Sequence, residues 1–143
     1  MKEFDRNDFD PMGSEFDERT GEELYEAFLE KIDRPKDEFI YYYGGYRTVM
    51  TRLTSAAKDL LAWMAFNCEV NSGRVFIQSH TQKKALEELG ITMATYYKAL
   101  NQLKEANIIK GSNAVYYVNP AVAWKGAASA RGGFMKVYPR LLK

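Results

Sequence analysis

Between Thr92 and Ala106 the apolar residues Tyr96, Ala99, Leu100 and Leu103 recur at the helical period. With those turned inward, Thr92, Met93, Thr95, Lys98, Asn101 and Gln102 fall on the opposite side, and Tyr97 lies at its border. Hydroxyls, an ammonium and two carboxamides on one helical face suit the hydrogen-bonding edges of bases. An Asn or Gln pairs bidentately with adenine, and a Lys reaches guanine or phosphate. Tyr97 suits a phosphate or a thymine methyl. The plain alternative is a solvated helix face, and the surrounding elements decide between the two.

Those elements read in a definite order. Thr54 is placed to cap a helix over 54–67, in which Ala57, Leu60, Leu61, Met64 and Ala65 share a face widened by Trp63 and Phe66. A turn signal at Asn71-Ser72-Gly73 precedes a short strand around Val75-Phe76-Ile77. A helix over 81–89 stops at Gly90, the residue type favoured in the left-handed position after a helix. Thr92 then caps the helix 92–106. Strand-like runs at Ile108–Lys110 and Ala114–Val118 flank Gly111-Ser112-Asn113 and predict a β-hairpin. Two helices joined by a glycine turn, with a strand before and a hairpin after, predict an α+β winged helix-turn-helix. In such a fold the first elements bury the back of the second helix and its front fits a major groove, while the hairpin lies on the flanking backbone.

Outside this unit, Leu24, Phe28 and Ile32, with Tyr25 and Leu29, form a helical stripe that must end before Pro35. Its Tyr25, Phe28 and Leu29 are expected to be exposed and to make a homodimer contact. Phe39–Tyr43 and Tyr46–Met50 around Gly44-Gly45 predict another hairpin. Ala121–Trp124 after Pro120 predict one helical turn, with Trp124 in the core or a dimer seam. The resulting division is an acidic, disordered leader over 1–20, a helix within 21–38, the winged domain over 39–126 and a basic, extended arm over 127–143.

Charge is distributed unevenly. Residues 1–38 hold 14 acidic and 6 basic side chains, a net −8, and the other 105 residues hold 5 acidic and 14 basic, a net +9. A body of that sign suits a polyanion. The acidic segment is open to three readings: a solvated leader, an arm folded on the basic body, or a partner-binding tail. Lys83, Lys84, Lys104, Lys110, Asn113, Lys125 and Arg131 are the expected phosphate contacts, which give affinity without sequence information.

The 143-residue chain carries 46% hydrophobic and 27% charged residues, a globular balance. It shows no run of about 20 apolar residues and no signal peptide, so no membrane partner is expected. A single cysteine, Cys68, suits a reducing cytoplasm and forms no internal disulfide. One histidine, His80, with that cysteine makes no zinc site, and neither a phosphate loop nor a dinucleotide or HExxH motif is present. No cofactor, metal or catalytic residue is expected.

The run Tyr116-Tyr117-Val118-Asn119-Pro120, followed by Ala123-Trp124-Lys125-Gly126 and Arg131, resembles the wing-end signature of RepL-type plasmid replication proteins. Leu53–Asp59 and Gly90-Ile91-Thr92 with Thr95-Tyr96-Tyr97 fit the same pattern, over about residues 50–135. The resemblance implies a winged-helix plasmid replication initiator that binds double-stranded DNA, or a related regulator on a mobile element. A protein–protein adaptor that recruits host replication proteins is the reading from another class.

Overall fold

The computed structural model describes residues 19–31 and 40–142. Expectations for the leader up to residue 18, the stop before Pro35 and Phe39 lie outside the described residues. The chain is α+β. In order come helix α1 (Gly21–Lys31), strand β1 (Ile40–Tyr42), helix α2 (Gly44–Met50), helix α3 (Ser55–Asn67) and strand β2 (Arg74–Phe76). Helices α4 (Ser79–Leu89) and α5 (Met93–Glu105), strands β3 (Ile109–Ser112), β4 (Val115–Val118) and β5 (Ala123–Lys125) and helix α6 (Ala128–Val137) follow, with a 3-10 turn at Tyr138–Arg140.

Local chemistry accounts for the helices at the centre. Thr54 Oγ1 accepts from the Ala57 N–H at 3.2 Å and Thr92 Oγ1 from the Thr95 N–H at 3.2 Å, so each satisfies one orphan donor of a first turn. Gly90 takes φ 65° and ψ 36° and donates its N–H to the Leu86 carbonyl, which closes α4 and turns the chain into α5 within three residues. The predicted apolar stripes are buried, Ala57, Leu60, Leu61 and Met64 on α3 and Tyr96, Ala99, Leu100 and Leu103 on α5, except that Phe66, expected to widen the α3 face, is 68% exposed.

β2, β4 and β3 form an antiparallel sheet in the order β2-β4-β3, with Val75 opposite Tyr116 and Lys110 opposite Tyr117. The sequence of α3, β2, α4, α5 and the β3–β4 hairpin on this sheet is consistent with a winged helix. Alternation along β4 divides two cores. Tyr116 and Val118 pack with α3, α4 and α5, whereas Tyr117 packs with an aromatic cluster of Tyr25, Phe28, Trp124, Phe134 and Tyr138. Phe134 is the hub of that cluster, with ring centroids 5.5 Å from Phe28, 5.6 Å from Trp124 and 5.7 Å from Tyr25. Gly73, at φ +68°, lies so close to the Phe134 ring that a Cβ there would strike it.

Four sequence expectations are corrected. Gly44–Met50 is a helix and not the second strand of a hairpin. Its Thr48 hydroxyl donates back to the Gly44 carbonyl, and β1 instead pairs with β5, Tyr41 opposite Trp124. Ala123-Trp124 is therefore strand and not a helical turn. Asn119 Oδ1 accepts from the Ala121 N–H and the Asn119 carbonyl from Val122, which reverses the chain after β4 and sends it along β1. The expected extended arm folds as α6, whose Ala130, Phe134 and Val137 are buried. Tyr25 and Phe28 are 2% and 0% exposed and Leu29 packs on the same cluster, so these side chains hold α1 to α6 and are not the exposed dimer contact that was expected.

Burial raises the Cys68 thiol pKa to about 12 and pushes the Tyr25, Tyr96 and Tyr138 hydroxyls well above the ordinary tyrosine value. Each group is held protonated by folding. That stability is complete below the unfolded-chain values, about 8.5 for cysteine and about 10 for tyrosine, and is lost as pH rises above them. The melting temperature followed by circular dichroism is expected to fall steadily from about pH 9 upward. A flat profile to pH 11 would contradict this packing.

Candidate nucleic-acid interface

Helix α5 presents the face that its inward stripe leaves outside. Met93, Tyr97, Lys98, Asn101 and Thr92 are exposed and Thr95 is half-buried, so the expected reading set lies together on one open surface. Not all of it is equally available. Thr92 is spent partly on its cap, and its hydroxyl donates to Thr95 Oγ1 at 3.0 Å. Gln82 of α4 donates through Nε2 to Met93 Sδ at 3.1 Å and to the Tyr97 hydroxyl at 3.2 Å, which steadies the N-terminal half of the face.

Gln102 does not fit the reading role. Its Oε1 accepts from both the Thr54 N–H, at 3.1 Å, and the Thr54 hydroxyl, at 2.9 Å. It ties α5 to the start of α3, and a side chain so engaged is not free for a base edge. The same bonds bring the segment before α3 alongside the C-terminal half of α5. Arg52, two residues before Thr54, is exposed. No periodicity marks that proximity; only the Gln102 contact does.

The expected phosphate contacts divide. Lys83 and Lys84 on α4 are exposed, Lys84 with Glu88 at 4.0 Å, and Lys104 is half-exposed in the last turn of α5. Asn113, with φ 53°, is exposed at the tip of the β3–β4 hairpin. Three others are engaged within the chain. Lys110 is 7% exposed, and its ammonium donates to the carbonyls of Tyr138, Pro139 and Leu141 at 3.0, 3.2 and 3.2 Å. Arg131 donates through Nε to the Pro120 carbonyl at 2.7 Å and stacks on the Tyr43 ring at 3.5 Å. Lys125 Nζ donates to the Phe66 carbonyl at 2.7 Å and lies over the Phe66 ring at 5.6 Å. These three cations hold chain segments to one another.

Between α5 and the hairpin tip lies an open cleft of about 460 Å³. Gln78, Ser79, Gln82, Tyr97, Asn113 and Tyr116 form its rim and walls. His80 is exposed in the first turn of α4, its Nε2 3.4 Å from the Thr81 hydroxyl. Among the described residues no group of His, Cys, Asp and Glu is placed to hold a metal ion, and no helix is long and apolar enough to cross a membrane.

Comparison with known sequences extends the resemblance beyond the winged unit. A family described as Firmicute plasmid replication protein (RepL) matches residues 14–141, a span that takes in α1 and α6 as well as the helices and hairpin between them. No curated protein and no solved structure matches the chain.

Proposed function

The chain belongs to the RepL family of Firmicute plasmid replication proteins, and we propose that it serves plasmid replication as a non-catalytic protein that binds double-stranded DNA in a sequence-specific way. The observation that carries this reading is the open outer face of α5, where Thr95, Tyr97, Lys98 and Asn101 stand clear of the core while Tyr96, Leu100 and Leu103 anchor the helix behind them. A helix with side chains fills a major groove. Asn101 supplies the base-edge chemistry, Lys98 reaches a guanine edge or a phosphate, and Lys83, Lys84, Lys104 and Arg52 supply the phosphate contacts on either side. The β3–β4 hairpin, with Asn113 exposed at its tip, lies against the adjoining stretch of DNA. Self-association on repeated half-sites requires a surface other than Tyr25 and Phe28, since both are buried within one chain.

Selection from a random duplex pool, run with wild type and with Asn101→Ala, tests the reading. Wild type is expected to enrich a defined site. Asn101→Ala is expected to lose about 1–3 kcal/mol of preference at one position while retaining the rest. Equal loss on the selected site and on random duplex would remove Asn101 from the reading face. Enrichment of no site by wild type would overturn sequence-specific binding.

A further inference from the structure

The cleft between α5 and the hairpin has an unusual lining for a polyanion-binding protein. Gln78, Gln82 and Asn113 bring carboxamides, Ser79 a hydroxyl, and Tyr97 and Tyr116 phenolic rings; among the described residues no charged side chain lines it. Ile77, Tyr96 and Ala114 complete the lining. Lys83, Lys84 and Lys98 lie on the same two helices and do not line the cleft. A seat for phosphate normally uses charged donors, which strengthen and shorten the bonds. Carboxamides and aromatic rings instead match a flat, neutral ligand with donors and acceptors at its edge.

Size and stiffness agree. About 460 Å³ is within the range of small-ligand sites. The Tyr96 and Tyr97 rings meet edge to face at 5.3 Å, and Gln82 fixes the Tyr97 hydroxyl, so the aromatic wall is held before any ligand arrives.

We propose that this cleft takes a single unstacked nucleobase of bound DNA, held against the tyrosine wall that Gln82 steadies and read at its edge by Gln78 and Asn113. The proposal rests on the DNA-binding reading and adds to it a preference for locally unpaired DNA. Stacking of one base on an aromatic wall supports about a tenfold gain in affinity.

The test uses the full chain and two duplexes of one random sequence, identical except that one carries a single extrahelical 5-iodouracil. The bulged duplex is expected to bind about tenfold more tightly, with light-induced crosslinks mapped by mass spectrometry to Tyr97 or Tyr116. Asn113→Ala and Tyr97→Ala are expected to remove the difference. Tyr97→Phe is expected to keep most of it, which separates the ring from its hydroxyl and guards against a folding defect. Lys98→Ala is expected to weaken both duplexes alike. Equal affinity for the two duplexes, with no crosslink to either tyrosine, overturns the base seat while duplex binding stands. Loss of affinity when one methylphosphonate is placed beside the bulge, without any bulge preference, assigns the cleft to phosphate and also overturns it. Binding to neither duplex removes both readings.

Discussion

Lys110→Ala is expected to lower the stability of the chain by about 3–5 kcal/mol and the melting temperature by about 10 °C. The side chain is 7% exposed and its ammonium bonds three carbonyls at the end of α6 and the turn that follows, at 3.0–3.2 Å. These carbonyls lie in and just after the 3-10 turn that follows α6, and that of Tyr138 also accepts from the Leu141 N–H at 3.1 Å. The Nζ also lies 4.9 Å from the centre of the Tyr138 ring. Removing the cation takes away the donor that the three carbonyls share and unties this turn from β3. Because β3 carries Lys110 and α6 packs on α1, the damage should begin in the terminal helices. Hydrogen exchange is expected to accelerate in α1 and α6 before α3 and α5. A variant with unchanged melting and a salt dependence of DNA binding reduced by about one unit would instead show Lys110 to be a phosphate contact, as its place on the hairpin suggests from sequence.

The second large effect concerns binding and should leave the fold intact. Replacing Lys83, Lys84, Lys98 and Lys104 together by alanine removes four exposed or half-exposed cations from α4 and α5. None of them is buried, and the one ion pair among them, Lys84 with Glu88, is a surface pair at 4.0 Å. If each meets one phosphate, the slope of log affinity against log salt becomes shallower by about 3 to 4. At about 0.1 M salt the loss on specific and random duplex should be similar, on the order of a hundredfold or more. Fluorescence anisotropy across a salt series checks this, with the melting temperature as the control for folding. An unchanged slope would place the DNA elsewhere on the protein.

What the sequence disclosed and what it concealed follow from the range of the interactions. The buried stripe of α5, the cap at Thr92 and the stop at Gly90 depend on neighbours within one helical turn, so residue type and spacing expose them. The outer face of α5 follows by subtraction. Lys110, Lys125 and Arg131 read as surface cations because their partners are backbone carbonyls 28 to 31, 59 and 11 residues away, and a carbonyl carries no residue signature. Gln102 reads as a base contact because the Thr54 that occupies it is 48 residues distant. The pairing of β1 with β5 was hidden for the same reason, since Tyr46–Met50 offered a local strand partner that the folded chain sets aside. The periodicity of Tyr25 and Phe28 marks a helical apolar stripe, which reads as a dimer contact when no partner within the chain is evident. That α6 of the same chain would cover them was not, because Gly132, Gly133 and scattered bases obscure its apolar face.

The central claim is that α5 and the β3–β4 hairpin together engage a DNA duplex from their exposed side. A hydroxyl-radical footprint of the full chain on the DNA that flanks its own coding sequence tests it most directly. Backbone is expected to be protected on both sides of one major groove and along the neighbouring stretch under the hairpin, with the latter protection lost in Asn113→Ala and the former weakened in Lys98→Ala. Uniform cleavage along the whole fragment at low salt, with the chain folded and in excess, would contradict it.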